Sequence, residues 1–187
     1  MEETTEEKKP VGEILNEAVD QLKELEMTPE DALNALVSMV EKGLTTVAEL
    51  RGISPDELEA VYALAYDYYR VGNYDSAETL FRFLTVMDHF NEKYWMGMAA
   101  VHQVKKRFKE ALQIYAFVAV TLNVKNVNAS YYAAECYLAT GDVANATSAL
   151  EHVKAFADAK TEEGREILSK AARLEKVVKS KGEGVKG

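Results

Sequence analysis

One pattern, written three times with its small residues in register, constrains this chain more than any other feature. With the segments from Leu58, Glu92 and Val127 set beneath one another, the eighth position holds Ala65, Ala99 and Ala134, and the twentieth holds Ala77, Ala111 and Ala146. Position 17 is large and apolar (Tyr74, Phe108, Val143), as is position 24 (Phe81, Tyr115, Leu150), and position 15 holds a turn residue (Gly72, Lys106, Gly141). The first two copies begin 34 residues apart, and the third needs one inserted residue. Alanine at 8 and 20 lets two antiparallel helices approach closely, while bulky residues at 17 and 24 fill the space beside them. Glycine at 15 tolerates the left-handed backbone that ends the first helix. Lys106 at that position, and Ser130 where the first helix usually has a large residue, are local departures.

This period and helix-turn-helix layout belong to the tetratricopeptide repeat. All ten Tyr, all six Phe and the lone Trp95 lie between Tyr62 and Phe156, whereas Pro10, Pro29 and Pro55 precede that stretch, which is the expected packed body. Residues 1–10 are polar and are expected to form a disordered tail. From Val11 onward, Ile14, Leu15, Ala18, Val19, Leu22 and Leu25 recur at helical spacing. Thr28-Pro29-Glu30-Asp31 signals a second helix start, followed by Leu33, Leu36, Val37 and Val40 and a stop at Gly43. Ser54-Pro55-Asp56-Glu57 repeats the start signal and opens the first repeat. After the third, Thr161-Glu162-Glu163 begins a helix whose Ile167, Leu168, Ala171, Leu174 and Val178 are placed to cover the open end of the array. No alternating apolar runs compete. The expectation is an all-α protein, a short right-handed superhelix organised as a tail (1–10), N-terminal helices (11–53), repeats over 54–160 (about 58–91, 92–125 and 127–160), a capping helix (161–180) and a frayed end (181–187).

At 187 residues and 48% hydrophobic, the chain is long enough to bury one continuous core. A formal charge of -9 disfavours duplex binding, which needs Lys and Arg to displace counterions from phosphates. No apolar run precedes Val11, and none approaches the roughly 20 residues of a spanning helix, so the expectation is a cytoplasmic protein without membrane insertion. One cysteine, Cys136, permits no internal disulfide.

In stacked helix pairs the first helix of each pair lines the concave side, with positions 2, 5, 9 and 12 facing the groove. Repeat one then presents Glu59, Tyr62, Tyr66 and Tyr69; repeat two, Lys93, Met96, Ala100 and Gln103; repeat three, Asn128, Tyr131, Glu135 and Leu138. Tyr62, Tyr66 and Tyr69 share one helical face. Tyrosine offers large apolar area with a hydroxyl that can meet a peptide carbonyl, which suits recognition of an extended chain. The alternative is that these rings pack against the N-terminal helices. His102, at a core-facing position, and Glu135 are a candidate hydrogen-bonded pair; Cys136 is expected to be buried. His89 and His152 are too scattered for metal spacing, and no phosphate loop or nucleophile elbow occurs. No cofactor, metal or catalytic residue is expected, so an enzyme is not the favoured reading. A clamp for a C-terminal carboxylate is disfavoured too, because Tyr62, Tyr66, Gly97, Asn128 and Tyr132 stand where such a clamp needs mostly cations.

Several runs resemble the translocator chaperones of bacterial type III secretion systems, the class with three tetratricopeptide repeats. They are Leu50-Arg51-Gly52-Ile53-Ser54, Val61-Tyr62-Ala63-Leu64-Ala65-Tyr66, and Ala77-Glu78-Thr79-Leu80-Phe81-Arg82-Phe83-Leu84. Others are Asp88-His89-Phe90-Asn91, Met96-Gly97-Met98-Ala99-Ala100-Val101-His102-Gln103, Phe108-Lys109-Glu110-Ala111 and Ala133-Ala134-Glu135-Cys136-Tyr137-Leu138. The resemblance covers about residues 44–156, and the N-terminal part is longer than the family usually has. It implies a holdase that keeps two hydrophobic pore-forming translocators soluble and apart before export, through a groove for an extended P-x-L-x-x-P-like segment. It places the family's groove aromatics on Tyr62, Tyr66 and Tyr69, and gives Tyr74 and His89 indirect roles. It also implies a homodimer through N-terminal helices, with Leu15, Val19, Leu22, Leu33, Leu36, Val37 and Val40 as contact residues, unless those stripes fold back onto repeat one. A transcriptional regulator is a further partner implied by some members. The rival reading is an assembly scaffold that binds another protein partner.

Overall fold

The computed structural model describes residues 45–184 together with Asn34, Val37, Ser38, Lys42 and Gly43, in two units, Met1–Ser54 and Pro55–Gly187. The helix expected from Val11, and Leu15, Val19, Leu22, Leu33, Leu36 and Val40, lie outside the described residues. In the first unit, Gly43 has the left-handed backbone expected of a helix stop, at φ 69. Val37 is exposed. A single turn, α1 (Val47–Leu50), is fixed by a reciprocal cap. The Glu49 amide donates to the Thr46 hydroxyl, and the Glu49 carboxylate accepts from the Thr46 amide at 2.9 Å.

The second unit is a run of paired helices: α2 (Pro55–Arg70) with α3 (Tyr74–Met87), α4 (Glu92–Val104) with α5 (Phe108–Phe117), α6 (Val127–Thr140) with α7 (Val143–Phe156), and a final α8 (Glu162–Gly184). Among the described residues there is no strand, and no helix is long and apolar enough to cross a membrane. A π turn, Val118–Leu122, extends α5 just before the third pair. Asn73, Asn91, Asn126 and Asp142 cap α3, α4, α6 and α7 by accepting backbone N–H bonds, which supplies partners for donors that have none within the helix.

The repeat positions do what their chemistry requires. All six register alanines are at 0% exposure, so each pair closes with backbone near backbone. At the turns, Gly72, Lys106 and Gly141 all adopt left-handed backbone, with φ of 81, 60 and 82. The same bond closes each helix end: the amides of Asn73, Arg107 and Asp142 donate to the carbonyls of Tyr68, His102 and Tyr137 at 2.8–2.9 Å. Lys106 therefore performs the glycine's role at a steric cost. Buried Ser130 is paired as well, its hydroxyl 2.9 Å from Nδ1 of His152 on α7.

Among the described residues, two apolar clusters lie in the interior. One joins Ala99, Ala111, Tyr115, Val118, Ala129, Ala133 and Cys136. The other joins Ala134, Leu138, Ala146, Leu150 and Val153 to Ile167, Ala171 and Val178 of α8, so the last helix seals the end of the array. A charged seam links the first two pairs. Glu78 of α3, only 7% exposed, accepts from Arg107, from Lys105 at 2.9 Å and from Arg82 at 3.1 Å. The Arg107 bond, with help from Lys105, holds its carboxyl well below the usual range, at about 2. Trp95 sits edge-on to Phe117 at 4.9 Å, and its indole N–H donates to the His89 carbonyl at 2.9 Å.

Candidate peptide-binding groove

The first helices of the three pairs, α2, α4 and α6, enclose a groove of about 680 Å³. Its aromatic wall is the tyrosine stripe of α2. The rings of Tyr62 and Tyr66 lie 6.4 Å apart and near parallel at 14°, and those of Tyr66 and Tyr69 are 6.4 Å apart at 21°. Tyr66 is 48% exposed, whereas Tyr62 and Tyr69 are half-buried, and burial pushes both of their hydroxyls above the ordinary tyrosine pKa. Tyr62 leans edge-on against Phe81 at 5.9 Å, and Tyr69 against Tyr74 at 5.7 Å. The stripe is thus backed by rings and keeps one face open to the groove.

The floor comes from the second helices. Phe81 and Tyr115, both at position 24 of their repeats, are 1% exposed yet border the groove. Gly97 makes the Phe81 seat possible, because a Cβ there would lie within 2.6 Å of the ring's Cδ1 and Cζ. Tyr115 also stacks on Tyr132 at 5.8 Å and donates its hydroxyl to Oε1 of Gln103 at 2.8 Å. The Gln103 amide then donates to Glu135 at 2.9 Å. Lys93 is engaged on Glu59 and sits 4.3 Å above the Tyr62 ring.

Of the residues expected in the groove, Tyr62, Tyr66, Tyr69, Lys93, Met96, Ala100, Gln103, Asn128 and Glu135 line it. Tyr131 does not; its ring meets Tyr132 edge-on at 5.5 Å and packs on the cluster beneath α8, and Tyr132 takes the lining position. Leu138 is core, and Glu59 stands outside the lining as the partner of Lys93. The candidate His102–Glu135 pair does not form: Glu135 is bound by Gln103, and Nδ1 of buried His102 has no hydrogen-bond partner among the described residues. Burial, reinforced by Arg107, keeps that imidazole below its usual pKa. Cys136 is fully buried, and its thiol is pushed up to about 12. The floor residues Phe81 and Tyr115 carried a signal in the register, which marked the bulky positions as space-filling without showing that the filled space borders the groove; Gly97, outside those positions, carried none.

A tetratricopeptide-repeat family model matches residues 58–91 and 93–123. The chaperone protein SicA of Salmonella typhimurium is 40% identical over 108 residues, which span 58% of this chain and 65% of SicA. The low calcium response locus protein H of Yersinia pestis is 32% identical over 142 residues, 76% of this chain and 83% of that protein. The Yersinia enterocolitica type III secretion chaperone SycD, solved with a peptide of the translocator YopD, superposes with a TM-score of 0.64 at 31% identity, over 70% of this chain and 98% of SycD. The chain belongs to the tetratricopeptide chaperones of type III secretion. SycD has also been solved in an alternative dimer. In this chaperone, Tyr74 supports the stripe through Tyr69, while His89 lies tilted against Phe90 at 3.9 Å and holds Trp95 through its carbonyl. Neither residue lines the groove.

Proposed function

We propose that this chaperone is a cytoplasmic holdase that binds hydrophobic pore-forming translocators through an extended, P-x-L-x-x-P-like segment laid along the tyrosine stripe. The supporting observation is the stripe itself: three rings on one helical face, packed from behind by Phe81 and Tyr74 and open in front. Pro and Leu side chains would lose contact with water against those rings, each contributing on the order of 1 to 3 kcal/mol. A preformed wall spares the groove most of the ordering cost of binding. The SycD–YopD peptide complex belongs to a relative and motivates the assignment by kinship. A homodimer through residues 11–53, and a transcriptional regulator as a later partner, are parts of the same proposal.

The test is co-expression with candidate translocators followed by size exclusion with light scattering. A translocator recovered in solution only alongside this chain, and lost again with Tyr62→Ala plus Tyr66→Ala, is the expected result; the mass then gives the stoichiometry. Translocators that stay insoluble while the folded chain elutes alone would overturn the reading in favour of a scaffold for another protein.

A further inference from the structure

The charges bordering the groove are not balanced. Lys93 is the one cation among its described lining residues, and it is committed to Glu59 and to the face of Tyr62. Two carboxylates, Glu92 on α4 and Glu135 on α6, border the same space, held by neutral amides and, for Glu135, by the neutral Tyr131 hydroxyl as well. Asn126 donates to Glu92 at 3.1 Å, and Gln103 donates to Glu135 at 2.9 Å. Glu135 is the more firmly placed of the two. The hydroxyl of Tyr115, buried at 1% exposure, donates to the Gln103 carbonyl oxygen and so turns the Gln103 amide toward the carboxylate. A neutral amide fixes the position of a carboxylate without cancelling its charge, and the remaining acceptor capacity of Glu135 is available to a ligand. Tyr132 and Tyr115, stacked beside it, lower the local dielectric and strengthen any ion pair made there.

Resting on the groove reading above, we propose that Glu135, with Glu92 as a secondary contributor, is a specificity determinant that selects segments carrying a lysine or arginine beside their apolar anchors and rejects acidic ones. The tyrosine stripe sets how tightly apolar anchors bind; the carboxylates at the α4–α6 side decide which apolar segments are accepted. Discrimination of this kind comes from attraction to the right charge and repulsion of the wrong one.

Three series of short fluorescent peptides test this, each on a Pro-x-Leu-x-x-Pro frame with Lys, Gln or Glu placed in turn at every variable and flanking position, titrated against the full chain by anisotropy. At the responsive position the Lys peptide should bind about five- to tenfold more tightly than its Gln counterpart, with the Glu peptide weakest. That preference should fall toward one in Glu135→Gln and shrink in Glu92→Gln, whereas Tyr66→Ala should weaken all three peptides alike. Equal binding of the three series to the native chain, with Tyr66→Ala still weakening them, would overturn the charge selection and leave the groove reading standing. Failure of every peptide to bind would overturn the groove reading and this inference with it.

Discussion

Gly97 has no side chain because Phe81 occupies the place one would take. Gly97→Ala should push that ring off its seat and disturb Tyr62, which leans on it, costing about 1 to 3 kcal/mol in urea denaturation. Translocator-peptide binding should weaken at the same time, because Phe81 floors the groove. Lys106 is the opposite case, a side chain where the backbone prefers none. Left-handed backbone costs an L residue about 1 to 2 kcal/mol, of which glycine's greater freedom in the unfolded chain takes back part. Lys106→Gly should therefore raise stability by about 0.5 to 1 kcal/mol, read as a higher denaturation midpoint with an unchanged slope. Residues also show where the sequence ceased to be legible. Tyr131 and Tyr132 are neighbours flanking one stripe of α6, so a small rotation of that helix decides which faces the groove. Repeat spacing marks the face but not a rotation that small, and the inserted residue before the third copy removed the fixed reference. The His102–Glu135 pairing failed for a related reason: Gln103, one position along from His102, reaches Glu135 first.

Between elements, Lys105 and Arg107 tie Glu78 of α3 to the second pair. Its folded-state pKa of about 2 lies below the ordinary carboxylate value near 4.5. Its stabilisation is therefore complete above about pH 4.5 and is lost as pH falls toward 2. Urea denaturation at pH 6 and pH 3 should show Glu78→Gln destabilised by on the order of 2 kcal/mol at the higher pH, with the gap to the native chain narrowing at the lower one. A constant gap would mean that packing rather than charge supplies the effect. Helix identity was legible at this scale because alanine register, caps and turn residues all agree locally. The seam was not, since Glu78 is far in sequence from Lys105 and Arg107 and each resembles an ordinary surface charge until the first two pairs pack.

As a whole, the second unit behaves as a stack whose last layer must be closed. Ile167, Ala171 and Val178 of α8 cover Leu150, Val153 and Ala146. A chain ending at Ala159 should uncover that surface, lower the melting temperature and bind a hydrophobic dye, while the α2 tyrosines, at the other end of the stack, stay in place. The cap was legible because its apolar stripe follows directly on the last repeat. Trp95, the chain's lone tryptophan, stands apart from both the ends and the groove, held between Phe117 and the His89 carbonyl. The protein therefore carries its own optical probe at the middle of the stack: unlabelled fluorescence follows melting of repeat two, and any change in that signal when a segment enters the groove measures how far docking is felt through the helices rather than contact with the segment.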